Sequence, residues 1–189
     1  MRDFVFVAHE APTDGGFSLD DLPGAGRLDL VCRCINAALL VSHGVRGDTT
    51  AHVVLRGGER DVTVRFEGDE VRGLNPDERS IAGVLRAALG ERTYHEVEAR
   101  AGVYVAERGL AEVVDKTDGD TIVLQENGEG VEDATVPDEP TFVVSDHLEL
   151  TDGDLEALGD ARRLSLGSVA LHADHATAVA QNVCDTEWR

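Results

Sequence analysis

Arg163-Leu-Ser-Leu-Gly-Ser-Val-Ala-Leu-His-Ala-Asp-His-Ala-Thr-Ala-Val-Ala-Gln-Asn-Val-Cys184 reads as a short strand, a small-residue turn and a helix. The turn centres on Leu166-Gly167-Ser168, and the helix is expected to begin near Ala173. Upstream lies a companion, Thr141-Phe-Val-Val-Ser-Asp-His147, an apolar run that also ends in small and polar residues. Two strands with such loops at their C-terminal ends are where an α/β sheet usually holds a ligand.

Working outward, the rest of the chain alternates strand and helix patterns. Asp3–Ala8 is a short apolar strand, followed by a Gly-, Pro- and Asp-rich loop over residues 9–26. Phe17, Leu19 and Leu22 in that loop suggest that it packs against the body. Residues 28–42 fit a helix with a wide apolar face, on which Asp29 and Arg33 fall four apart and can pair. Strands over 51–55 and 61–66 are joined by Arg56-Gly-Gly-Glu-Arg60 as a hairpin. Asn75-Pro-Asp-Glu-Arg-Ser80 opens a helix, with Asn75 expected as N-cap, Pro76 at the first helical position and Glu78 three residues after the cap. Strands at 102–105, 121–124 and 141–145, a helical turn at 110–114 and a Thr151-capped helix complete the pattern, with residues 125–130 read as a loop. The fold class expected is α/β, one domain with a mostly parallel sheet flanked by helices.

Charge is the dominant compositional feature. The 189 residues hold 37 acidic and 17 basic side chains, a formal net charge of −20, and Lys116 is the single lysine beside 16 arginines. Such an acidic, lysine-poor surface suits a salt-saturated cytoplasm, where salt screens self-repulsion. Residues 1–110 carry 13 arginines against 18 acidic residues, whereas residues 111–189 carry 4 basic against 19 acidic. A surface that meets a polyanion therefore belongs to the N-terminal part. No apolar run approaches a membrane span, and the start lacks a signal-peptide layout, so a cytoplasmic protein is expected.

Several chemistries lose their support. GxGxxG, GxxxxGK[ST] and GxSxG motifs are absent. The three cysteines, Cys32, Cys34 and Cys184, do not make a disulfide framework, and without CxxC or HExxH no metal site is expected. His172 and His175 are read as packing residues. What remains is three small-residue loops at strand ends: 124–130, 145–150 and 166–172. Leu124, Leu164, Leu166 and Leu171 could line an adenine-sized slot there.

Leu22-Pro-Gly-Ala-Gly-Arg-Leu-Asp-Leu-Val-Cys-Arg-Cys-Ile-Asn36, Arg65-Phe-Glu-Gly68, Asn75-Pro-Asp-Glu-Arg-Ser80, Ser165-Leu-Gly167 and Leu171-His-Ala-Asp-His175 occur in this order. Together they resemble the archaeal tRNA (pseudouridine-54) N1-methyltransferases, the TrmY family of the SPOUT superfamily, in its haloarchaeal form. The resemblance covers essentially the whole chain. It implies S-adenosylmethionine as cofactor, a homodimer, a C-terminal trefoil knot over residues 121–189 and a Rossmann-like, RNA-facing part over residues 1–120. It places Leu124, Ser145, Asp146, His147, Leu164, Leu166, Gly167, Ser168, Leu171, His172 and Cys184 around the cofactor. Ser145 departs from the family, in which glycine is common at that position. A knot is implied by the resemblance alone.

Methylation of the pseudouridine N1 requires loss of an imide proton, which a nearby carboxylate can accept. Asp29, directly after Gly24-Ala-Gly-Arg27, is the candidate base, with Glu78 as the second choice. Arg27, Arg33, Arg46 and Arg79 are the candidate phosphate contacts on pseudouridine-containing tRNA. Methylation of ribosomal RNA and non-catalytic RNA binding are the competing readings.

Overall fold

The computed structural model describes residues 1–186. Along the chain run β1 (Arg2–Ala8), α1 (Leu28–Leu39), β2 (Leu40–Val41), β3 (Gly44–Val45), β4 (Thr49–Leu55) and β5 (Val62–Glu67). They are followed by α2 (Glu78–Gly90), β6 (Val97–Arg100), β7 (Val103–Ala106), α3 (Leu110–Val114), β8 (Asp120–Gly130) and β9 (Pro140–Ser145). The chain continues through α4 (Asp152–Leu158), β10 (Arg162–Ser165) and α5 (Ala173–Thr186). Eight strands form one sheet in the order β10-β8-β9-β1-β4-β5-β7-β6, and β2 and β3 make a separate two-stranded ribbon. The five strands from β10 to β4 run parallel, and β5, β7 and β6 extend the sheet antiparallel.

β1 is central, and every residue from Phe4 to Ala8 is buried. Its even-numbered side chains, Phe4 and Phe6, face the larger core with α1, α2 and α5. Val5 and Val7 face the smaller core, where Leu110, Val113 and Leu158 cover the other side. Strands buried on both faces explain why this part of the sequence reads as continuous apolar runs. The Gly-rich loop also packs as expected, with Leu22 buried and Phe17 and Leu19 against the main core.

α1 and α5 lie side by side over the same face, tied at one end by the Gln181 amide donating to the Ala38 carbonyl at 2.6 Å. Both start at the edge where β1, β9 and β10 end. That edge therefore gathers two helix starts and the loops after three parallel strands.

Three expectations are corrected. Asp77, rather than Asn75, caps α2: its carboxylate accepts from the Ser80 amide at 2.8 Å, and Pro76 precedes the cap. Residues 125–130 are not simply a loop. β8 continues through them, and after an irregularity Leu164 and Ser165 pair with Glu129 and Gly130. His172 and His175 are exposed, with their rings 6.0 Å apart edge to face, instead of packing inside.

Candidate functional site

The loops at the C-terminal edge enclose two adjoining clefts. The larger, of about 320 Å³, is lined by Leu124, Asn127, Ser145, Asp146, Leu148 and Leu171, among others. The smaller, of about 70 Å³, lies between Leu164, Leu166, Gly167, Val169 and Leu171. Leu124, Gln125, Glu126, Leu171 and Ala176 belong to both, so the two form one continuous depression. Beyond the cleft lining, the β8 and β10 backbones approach closely: a Cβ on Gly128 would fall 2.6 Å from the Leu164 amide nitrogen.

The predicted residues Leu124, Ser145, Asp146, Leu164, Leu166, Gly167 and Leu171 meet in this depression. Four others do not line it. His147 turns toward Glu10, 3.4 Å away, and Ser168 and His172 sit on the exposed outer side of their loop. Cys184 lies near the far end of α5, close to Arg2, Arg46 and Asp48 at the opposite edge of the sheet. Burial raises its thiol above the ordinary value and outweighs the nearby Arg2.

Sequence reading missed Gln125, which lines both clefts and has a buried Oε1 with no hydrogen-bond partner among the described residues. A buried, unpaired acceptor is costly unless a ligand donor satisfies it. Apolar leucine walls beside the orphaned Gln125 acceptor suit a purine ring bearing an amino group. The apolar walls and this free acceptor therefore fit an adenosine-containing cofactor.

Beside the depression stands a charged cluster. Arg27 grips Asp29 with two hydrogen bonds, at 3.0 and 3.1 Å. Arg33 donates to Asp29 at 3.1 Å, to Glu78 at 3.1 Å and to Asp174 at 3.1 Å. Asp174 begins α5 between Ala173 and Ala176, which both line the cleft, so it joins cluster to cleft. Burial alone would raise the Asp29 carboxyl, but the hydrogen bonds from Arg27 and Arg33 outweigh it and hold it below its ordinary value. The Asp29–Arg33 pair expected from spacing is present, and it is one part of a five-residue network.

Of the candidate phosphate contacts, Arg27 and Arg33 belong to this network. Arg79 extends from α2 to the Leu19 carbonyl and Asp20 in the Gly-rich loop. Arg46 is separate, since it pairs with Asp185 at the far edge, at 2.6 Å. Among the described residues, no group of three or more His, Cys, Asp or Glu side chains could hold a metal ion. No described helix is long and apolar enough to cross a membrane.

Residues 1–188 match the family model of SAM-dependent RNA methyltransferases. The chain belongs to that family. It is 44% identical to the tRNA (pseudouridine(54)-N(1))-methyltransferase of Halobacterium salinarum, over 98% of this chain and 97% of the relative. Identity is 45% to the enzyme of that name from Haloferax volcanii, over 98% and 97%. Similarity is not confined to salt-loving archaea, because the Methanocella arvoryzae enzyme of that name is 43% identical over 93% and 94%. Among solved structures, Archaeoglobus fulgidus Nep1 bound to S-adenosylhomocysteine superposes with a TM-score of 0.69 at 15% identity, over 98% of this chain and 97% of that one. At that identity the likeness is one of fold: an α/β sheet, mostly parallel and flanked by helices.

Proposed function

We propose that this chain methylates N1 of pseudouridine 54 in tRNA, using S-adenosylmethionine bound in the C-terminal-edge cleft. The observation that carries this reading is the joining of the cleft, through Asp174, to the Arg27–Asp29–Arg33 network. A methyl-donor site and a charged cluster containing two partly exposed arginines thus share one edge. When bound, the cofactor supplies a methyl group on a sulfonium sulfur. That methyl would be the electrophile for N1, whose proton must leave to a group of the chain or to solvent.

The chain's own residues act mainly through placement. Leu124, Leu164, Leu166 and Leu171 hold the flat, apolar part of the cofactor, and Gln125 offers its free oxygen to a ligand amino group. Arg27 and Arg33, each with about a third of the side chain exposed, are available to phosphates and to negative charge developing on the base. Asp29 is the proton acceptor by position. Because its carboxyl is held low, it is a weak base, and it also orients the two guanidinium groups. Glu78, reached by Arg33, is the second carboxylate of the pair. The target base must leave its stack to reach the edge.

The same reading divides the chain into an RNA-facing part, residues 1–120, and a cofactor half, residues 121–189, threaded as a trefoil knot. Convergence of the 124–130, 145–150 and 166–172 segments on one cleft supports this division. Leu148, Val169 and Leu171 are exposed apolar side chains at the cleft. On a chain of such high charge they suit burial against a second copy, as a homodimer. The acidic, lysine-poor composition supports a haloarchaeal, cytoplasmic setting.

The test is incubation with pseudouridylated tRNA and S-adenosylmethionine in high potassium chloride, followed by nucleoside mass mapping. N1-methylpseudouridine at position 54 is expected. Modification of ribosomal RNA alone, or no binding of S-adenosylhomocysteine by calorimetry, would overturn the assignment.

A further inference from the structure

One buried titratable group has no part in the chemistry described above. His9 follows β1 directly, and its ring bridges two carboxylates: Nδ1 lies 3.0 Å from Asp146 Oδ1, and Nε2 lies 3.0 Å from Asp154 Oδ2. The His9 amide also donates to Asp146 Oδ2 at 2.8 Å. All three side chains are nearly enclosed, with relative exposures of 10% for His9, 4% for Asp146 and 2% for Asp154.

Each carboxylate anchors a different element. Asp146 accepts from the Leu148 amide at 2.8 Å, and its own amide donates to the Val7 carbonyl at 3.0 Å. It thereby sets the path of the Ser145–Leu150 loop, from which Ser145, Asp146, Leu148, Glu149 and Leu150 all line the cleft. Asp154 is locked in the cap of α4, taking the Thr151 amide at 2.8 Å, the Thr151 hydroxyl at 2.6 Å and the Arg56 guanidinium. His9 ties this rigid cap to the cleft loop.

We propose that His9 is a positioning residue for the cofactor: doubly protonated, it clamps the Ser145–Leu150 wall of the cleft to the α4 cap. The proposal rests on the reading of that cleft as the cofactor site. An imidazole can donate through both nitrogens only as the cation. The neutral ring would leave one buried carboxylate facing a lone pair. The charges agree: His9 and Arg56 face Asp146 and Asp154, so the enclosed group is neutral only when His9 is protonated. Arg27 from the start of α1 acts on Asp146 electrostatically, Asp61 lies 3.4 Å from Arg56, and His147 and Glu10 flank the mouth.

The hydrogen bond to Asp146 raises the His9 pKa above its ordinary value, against the effect of burial. For a raised histidine, the clamp is complete below about pH 6.5 and is lost as pH rises through the folded-state value. For Asp146 and Asp154, burial alone would raise the pKa. The bonds from His9 and Leu148 on one, and from Thr151, His9 and Arg56 on the other, hold them low, so these contributions disappear only in acid.

The experiment combines methylation kinetics with calorimetry of S-adenosylhomocysteine in high potassium chloride, from pH 6 to 9.5. His9→Ala is expected to raise KM for the methyl donor and Kd for S-adenosylhomocysteine about tenfold, the equivalent of one lost buried hydrogen bond. Its kcat should stay within about twofold, and its tRNA affinity should not change. Wild-type affinity for S-adenosylhomocysteine should weaken as pH rises through the raised folded-state value of His9, while the variant stays flat. His9→Asn, which keeps a donor toward Asp146 alone, and His9→Gln, which reaches the Asp154 side alone, should each recover little of the loss, because neither bridges the two carboxylates. If His9→Ala fails to fold, the Asn and Gln variants and the wild-type pH series decide the question. Wild-type-like cofactor affinity in His9→Ala or His9→Gln, or an identical pH dependence in wild type and variant, overturns the positioning role. Absence of S-adenosylhomocysteine binding by the wild type at every pH instead overturns the cleft assignment.

Discussion

Arg27 has φ 59° and ψ 36°, and it is the single non-glycine residue with positive φ among those described. For an L-residue that conformation costs about 1–2 kcal/mol, and such strain tends to persist where a side chain is needed in one place. The preceding Gly26 is also left-handed, and a Cβ there would fall 2.0 Å from the Glu10 carbonyl oxygen. The turn thus delivers Arg27 to the cluster at a cost that glycine would avoid. Arg27→Gly separates stability from function: relief of strain offsets the lost Asp29 pair, so the thermal midpoint should move by less than about 4 °C, while tRNA binding should weaken about tenfold. A melting curve and a filter-binding titration check the two halves. Arg33 behaves differently, because one guanidinium serves Asp29, Glu78 and Asp174. Arg33→Ala leaves three carboxylates facing one another, and its partial exposure limits the cost to about 1–2 kcal/mol in urea unfolding. Arg33→Lys should not restore stability, since a single ammonium cannot span the fork.

Two helix starts and one strand pairing show how far local sequence determines an element. Thr151 caps α4 as its spacing predicts, because the Thr151 and Asp154 capping box is satisfied within four residues. The α2 cap was misplaced because Asn75 and Asp77 are both good cap residues, and only geometry shows that Asp77 takes the Ser80 amide while Asn75 bonds the Ser80 hydroxyl at 3.1 Å. Asp77→Ala should therefore cost about 1 kcal/mol and Asn75→Ala less, as compared by chemical denaturation. β6 escaped the sequence reading because Val97-Glu-Ala-Arg100 is an edge strand with half its residues exposed, which gives it little apolar signal. The polar, glycine-containing end of β8 looks like a loop until β10, more than thirty residues later, pairs with it. Of the site, the leucine walls were readable as apolar runs. The His9 bridge was not, since its partners are 137 and 145 positions away. The tightest test of the β8–β10 pairing is Gly128→Ala, whose methyl would meet backbone atoms of Arg163 and Leu164 at 2.6 to 2.7 Å. Backbone cannot swing aside as a side chain can. We expect a loss of about 2–4 kcal/mol, together with weaker binding of S-adenosylhomocysteine by calorimetry.

At the scale of the molecule, the net charge of −20 and the many internal ion pairs respond to salt in opposite directions. Pairs such as Arg60–Glu107, where the arginine is largely exposed, contribute little and are screened easily. Enclosed pairs such as Asp154 with His9 and Arg56 are screened far less, because salt does not enter their surroundings. Self-repulsion acts across the whole surface, over distances that exceed the roughly 3 Å Debye length at 1 M salt. Salt therefore removes more repulsion than attraction, and stability should rise with concentration. The repulsion is also uneven, because residues 111–189 carry 4 basic against 19 acidic side chains. Those residues supply β8, β9, β10 and α5, the elements around the cleft. Raising potassium chloride from 0.2 to 2 M should increase the thermal midpoint, and hydrogen exchange should slow more in β8, β10 and α5 than in the antiparallel β5–β7 region. Uniform slowing across the sheet would mean that the charge asymmetry does not govern local stability. Tighter cofactor binding in high salt, measured on the same samples, should accompany the selective slowing, because the cleft wall and its most repulsive surface are made from the same strands.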